Sequence, residues 1–559
     1  MTNAIEQEIK AGEVEVFDFI NKETSVVTFP RGFHCTDDGN AERFLWHYAE
    51  YVRFCLERNT WYIWDETRYK SDTTGQIFEL AKETVRLIHY EVGDILDKGE
   101  RRQVSAWAFQ SESFARIEAM LRYARTDERI AIEAKDLDAD AWLINCQNGT
   151  LDLKARAFRP HDKHDLITKI TAVEYDPESI SPEWYERLYE VLDIREGAFL
   201  QRAGGSALTA INEDKAIFFL YGKPNARKST LLEAMFKTFG DYASALDVST
   251  FARSPHRAGG ARPDLISLDG VRAGQCSEVP KKMKFNDAFL KAMTGANPRK
   301  ARDNYEKGMR DVKPITKFFI ETNFMPLIDF EDEAAFNRCF IIKFLNTIPL
   351  ESCDPKIKSF LESDESAQKA IFAWLVQGCY DWQDYGLAPP PEVNAARVEY
   401  HQSMNPLASF VKAELIEEAG AYVKTSELFE AFKLLATKDE KGAAPNLQSF
   451  GAHLTKLGIT SKHTKNGAVR LNVRLRGLDE FDDDGAEGDD VTTTRGVLRK
   501  FSHEDNLKKV TQIGAYTHHL ITDEHELRTR LKPRLINKQS GAVSPTVYDI
   551  ATLKERFNS

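Results

Sequence analysis

Residues 216–240 read AIFFLYGKPNARKSTLLEAMFKTFG: an apolar run, a short loop entered through Gly222, and a second apolar-periodic run that closes on Gly240. The first run, Ala216–Gly222, shows no polar alternation, which is the pattern of a parallel strand buried on both faces. The second, from Leu231 to Gly240, reads as a helix with glycine at its end. A strand, loop and helix in this order can cradle phosphate. Backbone N–H groups converge at the strand end, a lysine reaches the β- and γ-phosphates, and a hydroxyl is offered to Mg²⁺. Gly222, Lys228, Ser229 and Thr230 stand at the spacing of G-x-x-x-x-G-K-[ST], with Asn225 inside the loop. Arg227 occupies the position of the second glycine. A Cβ there costs roughly 1 kcal/mol where the backbone is left-handed; alternatively the guanidinium adds charge near the phosphates. Gly222, Asn225, Arg227, Lys228, Ser229 and Thr230 are therefore the candidate nucleotide-binding set, with ATP as the expected nucleotide and Mg²⁺ as its cation.

Downstream, KFFIETN (Lys317–Asn323) and CFIIKF (Cys339–Phe344) are two further buried strands. Strands alternating with helices predict an α/β core with a parallel sheet. Glu278, in VRAGQCSEVPKK, is the candidate to hold the metal together with Ser229; Ser277, not a second carboxylate, precedes it. Asn323 ends its strand, where a polar side chain can orient an attacking water or sense the γ-phosphate. Arg338, in FNRCFIIKF, is a candidate finger acting across a subunit interface. Each has a plainer reading when taken alone: a loop glutamate, a turn asparagine, a surface ion pair.

The 559 residues exceed what one core supports, so several domains are expected. The composition is globular, 42% hydrophobic and 29% charged, with a mean hydropathy of -0.45. No apolar run approaches the roughly 18 residues that span a bilayer, and the acidic N-terminus has no signal-peptide pattern. No membrane partner is expected. The seven cysteines are scattered and never paired as CxxC, which favours a reducing, cytoplasmic setting over a disulfide framework or zinc ribbon. Net charge is -12, yet charge is segregated. Lys281–Lys317 holds eleven Lys/Arg against four Asp/Glu; His453–Leu478 has six Lys/Arg and no acid; eight of the twelve residues Asp479–Asp490 are acidic. Such segregation is what a nucleic-acid reader inside an acidic protein needs.

Before the central stretch, helical patterns at Ala41–Arg58, Gly75–Ile95 and Ser111–Tyr123 mix with strand-like pieces. Asn148-Gly149 lies between apolar runs and predicts a hairpin. A helical stretch follows at Pro182–Ala210. The Pro-rich joint APPPEV (Ala388–Val393) is a candidate boundary. Beyond it, TSELFEAFKLLA and NLQSFGAHLTKLG are helix-like, and ITSKHTKNGAVRLNVRL reads as a basic hairpin about Asn466-Gly467. Helix, helix and basic hairpin resemble a winged helix, with Lys462, Lys465 and Arg470 as candidate DNA contacts; the alternative is a plain cap with a solvated hairpin. The expected domains are an α+β domain at 1–180, a helical linker at 181–213, a P-loop domain at 214–390, a winged-helix-like domain at 400–478, an acidic linker at 479–490 and a small appended segment at 491–559.

The order GKPNARKST, SEVPKKMKFNDAFLKAMTGANPRKAR, FFIETNFMPLI, FNRCFIIKF resembles the superfamily 3 helicases, and within them the phage and plasmid primase-helicase group related to the poxvirus replicative helicase. Upstream, WYIWDETRY (Trp61–Tyr69) resembles the group's WxxWDGxxW signature, with Glu66 for Gly and Tyr69 for Trp. NCQNGTLDL (Asn145–Leu153) and FLQRAGGSAL (Phe199–Leu208) are similar to its hairpin and to the helix before its P-loop strand. The resemblance spans about residues 35–345. It implies an AAA+-like ATPase core forming a homo-hexameric ring, with ATP between subunits and single-stranded DNA in the channel. It further implies that Lys228 binds phosphate, Ser229 coordinates Mg²⁺, Glu278 is the Walker B acid, Asn323 the sensor and Arg338 the finger. Lys291 and Arg302 match basic positions of the segment between acid and sensor, and Lys307 falls where such helicases carry a DNA-gripping hairpin. The expected function is DNA-stimulated ATP hydrolysis in replication of a phage, plasmid or related mobile element, inside a bacterial or viral host cell, with double-stranded DNA and a separate primase or polymerase as further partners. Too few residues, some 35, precede the matched region for the group's primase domain. The competing expectation, from Arg227 and the lone Glu278, is a nucleotide-binding ring or initiator scaffold on DNA with weak hydrolysis.

Overall fold

The computed structural model describes residues 13–18, 23–28, 32–253, 262–295, 297–301, 310–349, 354–436, 446–464 and 467–476. Two compact units are present: Met1–Glu414 with Ala436–Glu440, and Leu415–Leu435 with Lys441–Ser559.

The first unit begins with an antiparallel hairpin, β1 (Glu13–Asp18) and β2 (Glu23–Thr28). Helix α1 (Asp37–Tyr48) follows, its first turn capped by Thr36, whose hydroxyl accepts from the Gly39 amide. Strands β3 (Val52–Cys55), β4 (Thr60–Trp64) and β5 (Tyr69–Ser71) form an antiparallel meander. Helices α2 (Gln76–Glu91), α3 (Lys98–Ser111) and α4 (Phe114–Ala124) pack with α1, and β6 (Ala131–Ile132) adds to β3 in parallel. The helix expected over Ala41–Arg58 stops at Tyr48, because VRFC has the β-branched and aromatic content that suits pairing with β4. The aromatic signature becomes β4, a turn and β5. Glu66, standing where the related group has glycine, takes φ 76 in that turn. Strands β7 (Leu143–Cys146), β8 (Gly149–Asp152) and β9 (Ala157–Arg159) form the second meander. Its tight turn is one residue earlier than expected. Cys146 pairs with Gly149, so Gln147 and Asn148 are the loop. Gly149 is required because a Cβ there would strike the Arg159 carbonyl oxygen.

Helices α5 (Pro182–Val191) and α6 (Ile194–Ser206) lead into β10 (Ile217–Gly222), α7 (Lys228–Phe239) and β11 (Ala243–Leu246). Next come α8 (Pro263–Ile266), β12 (Ala273–Cys276), α9 (Asp287–Met293), the antiparallel pair β13 (Arg299–Ala301) and β14 (Arg310–Val312), β15 (Lys317–Thr322), α10 (Glu333–Phe336) and β16 (Cys339–Phe344). Five of these strands make one sheet in the order β11-β12-β15-β10-β16, parallel throughout. The unbroken apolar sequence of β10 follows from this central place. Phe218 and Leu220 point into one core, with α6, α7 and α12 (Glu365–Tyr385). Ile217 and Phe219 point into the other, with α9 and α13 (Pro391–Ser403). Each such side chain contributes about 1.5–3 kcal/mol by leaving water.

Two expected boundaries dissolve in this packing. The hairpin residues Ile144, Cys146 and Leu151 share a core with β10, so the second meander's neighbour is the central sheet. Arg272, buried beside β12, donates 2.8 Å to the Leu143 carbonyl and stacks on Tyr242, tying β7 to the sheet. The stretch expected as a linker, 181–213, is instead core: Phe199, Leu200 and Ala203 of α6 are fully buried. The Pro-rich joint is the short loop into α13 and the first turn of that helix, which lies against β16. Residues through α11 (Pro355–Ser363), α12, α13 and α14 (Pro406–Glu414) stay with the first unit, and the division falls after Glu414.

Among the described residues, the second unit holds β17 (Leu415–Lys424), α15 (Thr425–Ala436), α16 (Leu447–Lys456), β18 (Ser461–Thr464) and β19 (Gly467–Leu475). The two expected helices and the hairpin are present, with β17 as a third strand in the antiparallel order β17-β19-β18. Phe450 of α16 packs on Phe429 and Phe432 of α15. Arg302, Lys307, Lys465, the acidic run 479–490 and residues 491–559 lie outside the described residues. No helix among the described residues is long and apolar enough to cross a membrane.

Candidate functional site

The loop between β10 and α7 opens onto a cleft of about 780 Å³. Its start is fixed by Gly222, where a Cβ would collide with the Phe344 carbonyl on β16. Asn225 and Arg227 take φ 59 and φ 55, so the loop is left-handed at two non-glycine positions. Its far side is anchored by the Ile348 amide, which donates 2.8 Å to the Asn225 carbonyl. Arg227, the residue before α7, turns its guanidinium to Glu190 on α5 at 2.8 Å. The charge expected near phosphates is therefore engaged by a carboxylate in this structure.

Lys228 heads α7 and is buried, with Nζ donating to the Gly222 and Lys223 carbonyls at 2.8 and 2.7 Å and to Asn323 Oδ1 at 3.0 Å. Two residues expected to act together, 95 positions apart, thus meet directly. Burial lowers the Lys228 pKa, and the neighbouring Glu321 carboxylate opposes that. Asn323 is placed by β15, which pairs with β10 on one side and β12 on the other. Ser229 and Thr230 line the same cleft, as does Glu278, exposed two residues beyond β12 with φ 58.

Three residues that the sequence reading passed over also face the cleft or its loop. Glu321 lies on β15 between Ile320 and Thr322, and its Oε2 is buried with no hydrogen-bond partner among the described residues. Burial raises its pKa, the Ser229 hydroxyl lowers it, Glu233 raises it and Lys228 lowers it. Lys358 on α11 lines the cleft and pairs with Glu233 of α7 at 2.5 Å. Glu190 holds Arg227. The one available signal was a carboxylate directly after the apolar run Phe318–Ile320 of a strand; nothing local marks Glu190 or Lys358.

Arg338 stands elsewhere. Its carbonyl accepts from the Ile217 amide at the start of β10, the opposite strand end from Gly222. At roughly 3.3 Å per residue that is about 17 Å of strand, beyond reach of its own cleft. Its guanidinium donates to Thr294 Oγ1 at 3.0 Å and to the Ala334 carbonyl at 2.8 Å. Lys291 on α9 is paired with Asp332 at 2.5 Å.

In the second unit Lys462 is exposed on β18. Arg470 corrects the expectation of a DNA contact. It is 3% exposed, and its guanidinium donates to Thr455 Oγ1 at 2.7 Å, the Ile459 carbonyl at 3.0 Å and the Gly451 carbonyl. Its two terminal nitrogens thus clamp α16 to β19, and the buried guanidinium is turned into the fold.

No cluster of three or more His, Cys, Asp or Glu able to hold a metal occurs among the described residues. A cation carried by a nucleotide needs fewer, since Mg²⁺ is commonly held by one or two protein groups plus phosphates. The donors Lys228, Ser229, Thr230 and Glu278, with the orphaned Glu321 oxygen, fit a Mg²⁺–nucleotide by their chemistry.

Residues 41–193 match the family described as D5 N terminal like. Three viral proteins, each named "Putative helicase", are similar over about half of the chain. The protein of Acanthamoeba polyphaga mimivirus is 23% identical over 337 residues, covering 56% of this chain and 35% of the relative. That of Frog virus 3 is 24% identical, covering 54% and 31%, and that of Invertebrate iridescent virus 6 is 23% identical, covering 53% and 34%. The chain thus spans about a third of the length of these relatives. Among solved structures, the apo structure of the NrS-1 C-terminal region is 11% identical, with a TM-score of 0.41, covering 75% of this chain and 95% of that one. The family match over residues 41–193 and the viral relatives, taken with the ordered motifs from Gly222 to Arg338, support a superfamily 3, primase-helicase-like assignment.

Proposed function

We propose that this chain is an ATP-driven DNA helicase that serves replication of a phage, plasmid or related mobile element, working as a homo-hexameric ring on single-stranded DNA. The observation that carries the reading is the meeting of Lys228 with Asn323 in the lining of a cleft that Ser229, Thr230 and Glu278 also line. Mg²⁺–ATP supplies the transferable γ-phosphoryl group and the cation that neutralises its charge. Lys228 and the loop amides bind the phosphates, and Ser229 and Glu278 hold the cation. Asn323, released from Lys228, orients a water. The parallel sheet, with β10 flanked by the strands carrying Asn323 and Arg338, fits an AAA+-like core. Arg338 is too far from its own cleft, so its role is that of a finger toward a neighbouring subunit. The second unit is read as a winged helix whose hairpin, with Lys462, contacts DNA phosphates.

A DNA-stimulated ATPase and strand-displacement assay tests this. Lys228→Ala is expected to reduce hydrolysis on the order of 10²-fold, since one preorganised phosphate contact is worth that much. Hydrolysis at the unaltered rate in that variant sinks the site assignment. A second reading, a nucleotide-dependent ring on DNA with negligible turnover, is favoured by the engagement of Arg227 with Glu190. Nucleotide-dependent assembly on DNA without phosphate release selects it.

A further inference from the structure

We propose that Glu321 is the second carboxylate of the nucleotide site, supplied by β15 because β12 offers serine in its place, and that it positions the divalent cation through the Ser229 hydroxyl and a cation-bound water. The inference rests on the nucleotide-site reading above. Strands β12 and β15 are adjacent and parallel, with Cys276 opposite Ile320 as their last pair. The next residues along are Ser277 and Glu321. Neighbours in register on parallel strands share a face of the sheet, so Glu321 stands beside the position where a second acid before Glu278 would be. On its other side Glu321 is opposite Leu220 of β10, two residues before the loop glycine.

The neighbouring lysines leave one oxygen of this carboxylate uncommitted. Lys228 Nζ is already held by two carbonyls and Asn323. Lys358 is held by Glu233 and, at 3.7 Å, by Glu362. Glu321 Oε2 is buried with no hydrogen-bond partner among the described residues, while its side chain lines the same cleft as Ser229 and Glu278. A buried carboxylate oxygen without a donor is costly. A water ordered by a cation at Ser229 supplies that donor, and a carboxylate accepting from both the hydroxyl and the water fixes the cation by outer-sphere contacts.

The test is Mg²⁺ dependence of binding, read with a fluorescent non-hydrolysable ATP analogue and the full chain. Mg²⁺ is titrated for the unaltered protein, Glu321→Gln, Glu321→Asp and Lys228→Ala. Glu321→Gln is expected to raise the half-saturating Mg²⁺ concentration about tenfold, as loss of an outer-shell partner does, with the loss confined to the Mg²⁺-dependent part of binding. Glu321→Asp recovers part of the shift. An unmoved midpoint in Glu321→Gln, with the unaltered protein binding normally, overturns the inference alone. Equal loss in Mg²⁺ and in EDTA, with a lowered Tm, assigns Glu321 a structural role and overturns it too. No binding by the unaltered protein removes the nucleotide-site reading and this inference together.

Discussion

Arg227 adopts φ 55 where a glycine would be free of strain, and its side chain is tied to Glu190. Two terms of similar size therefore oppose each other. Removing the Cβ relieves roughly 1 kcal/mol of left-handed strain. Losing the ion pair costs about 1 kcal/mol at most, discounted because the Glu190 carboxylate is partly in solvent. Arg227→Gly should leave stability near that of the unaltered protein. Arg227→Ala keeps the strain and loses the pair, so it should be less stable than the glycine variant by about 1 kcal/mol. Chemical denaturation of the two variants decides this, and an alanine variant as stable as the glycine one refutes the opposition. The sequence motif marked the position as unusual. It could not show the partner, since Glu190 is 37 residues away on a helix with no motif of its own.

At the scale of elements, α6 crosses α12 through glycines. A Cβ at Gly378 would meet the Gln201 carbonyl oxygen and one at Gly205 the Cys379 backbone nitrogen, both fixed atoms. At Gly204 it would meet only the tips of Leu375 and Met235. Glycine to alanine in a helix normally gains up to about 1 kcal/mol. Here Gly378→Ala and Gly205→Ala should each lose about 2 kcal/mol by overpacking, and Gly204→Ala distinctly less, measured as shifts in the denaturation midpoint. Equal effects at all three positions would contradict a backbone-limited crossing. The same elements show what sequence can reveal. Strands β10, β15 and β16 were legible because burial on both faces leaves a continuous apolar run. Strand β11 (ASAL) was not, and β12 (AGQC) only faintly, since small residues let neighbours approach without leaving such a run. Strand β17 alternates around Glu417, Glu418 and Gly420 and carries a register shift, so its period was hidden. Asn323 was found because it ends a legible strand; Glu321 was overlooked because it sits inside one.

For the whole molecule, the decisive fact is how the chemistry is distributed between the two units. Every residue lining the cleft, from Pro224 to Lys358, belongs to the first. The basic hairpin with Lys462 belongs to the second. The chain carries a net charge of -12, so electrostatic affinity for DNA depends on local patches, each phosphate contact steepening the salt dependence by about 0.7–0.9 in log–log slope. A chain ending at Glu414 should then bind nucleotide with a Kd within about twofold of full length, because no cleft residue is lost. Its affinity for DNA should fall, and the slope of log affinity against log salt should become shallower by about one unit or more. Fluorescent-nucleotide binding and DNA titrations at several salt concentrations read both halves of the expectation on the same two proteins. A truncated chain that keeps the full salt slope would move DNA recognition into the first unit, where Lys281 to Lys317 supplies the alternative basic region. One that loses nucleotide affinity would mean that the cleft depends on the second unit, against the separation of the two functions argued from the fold.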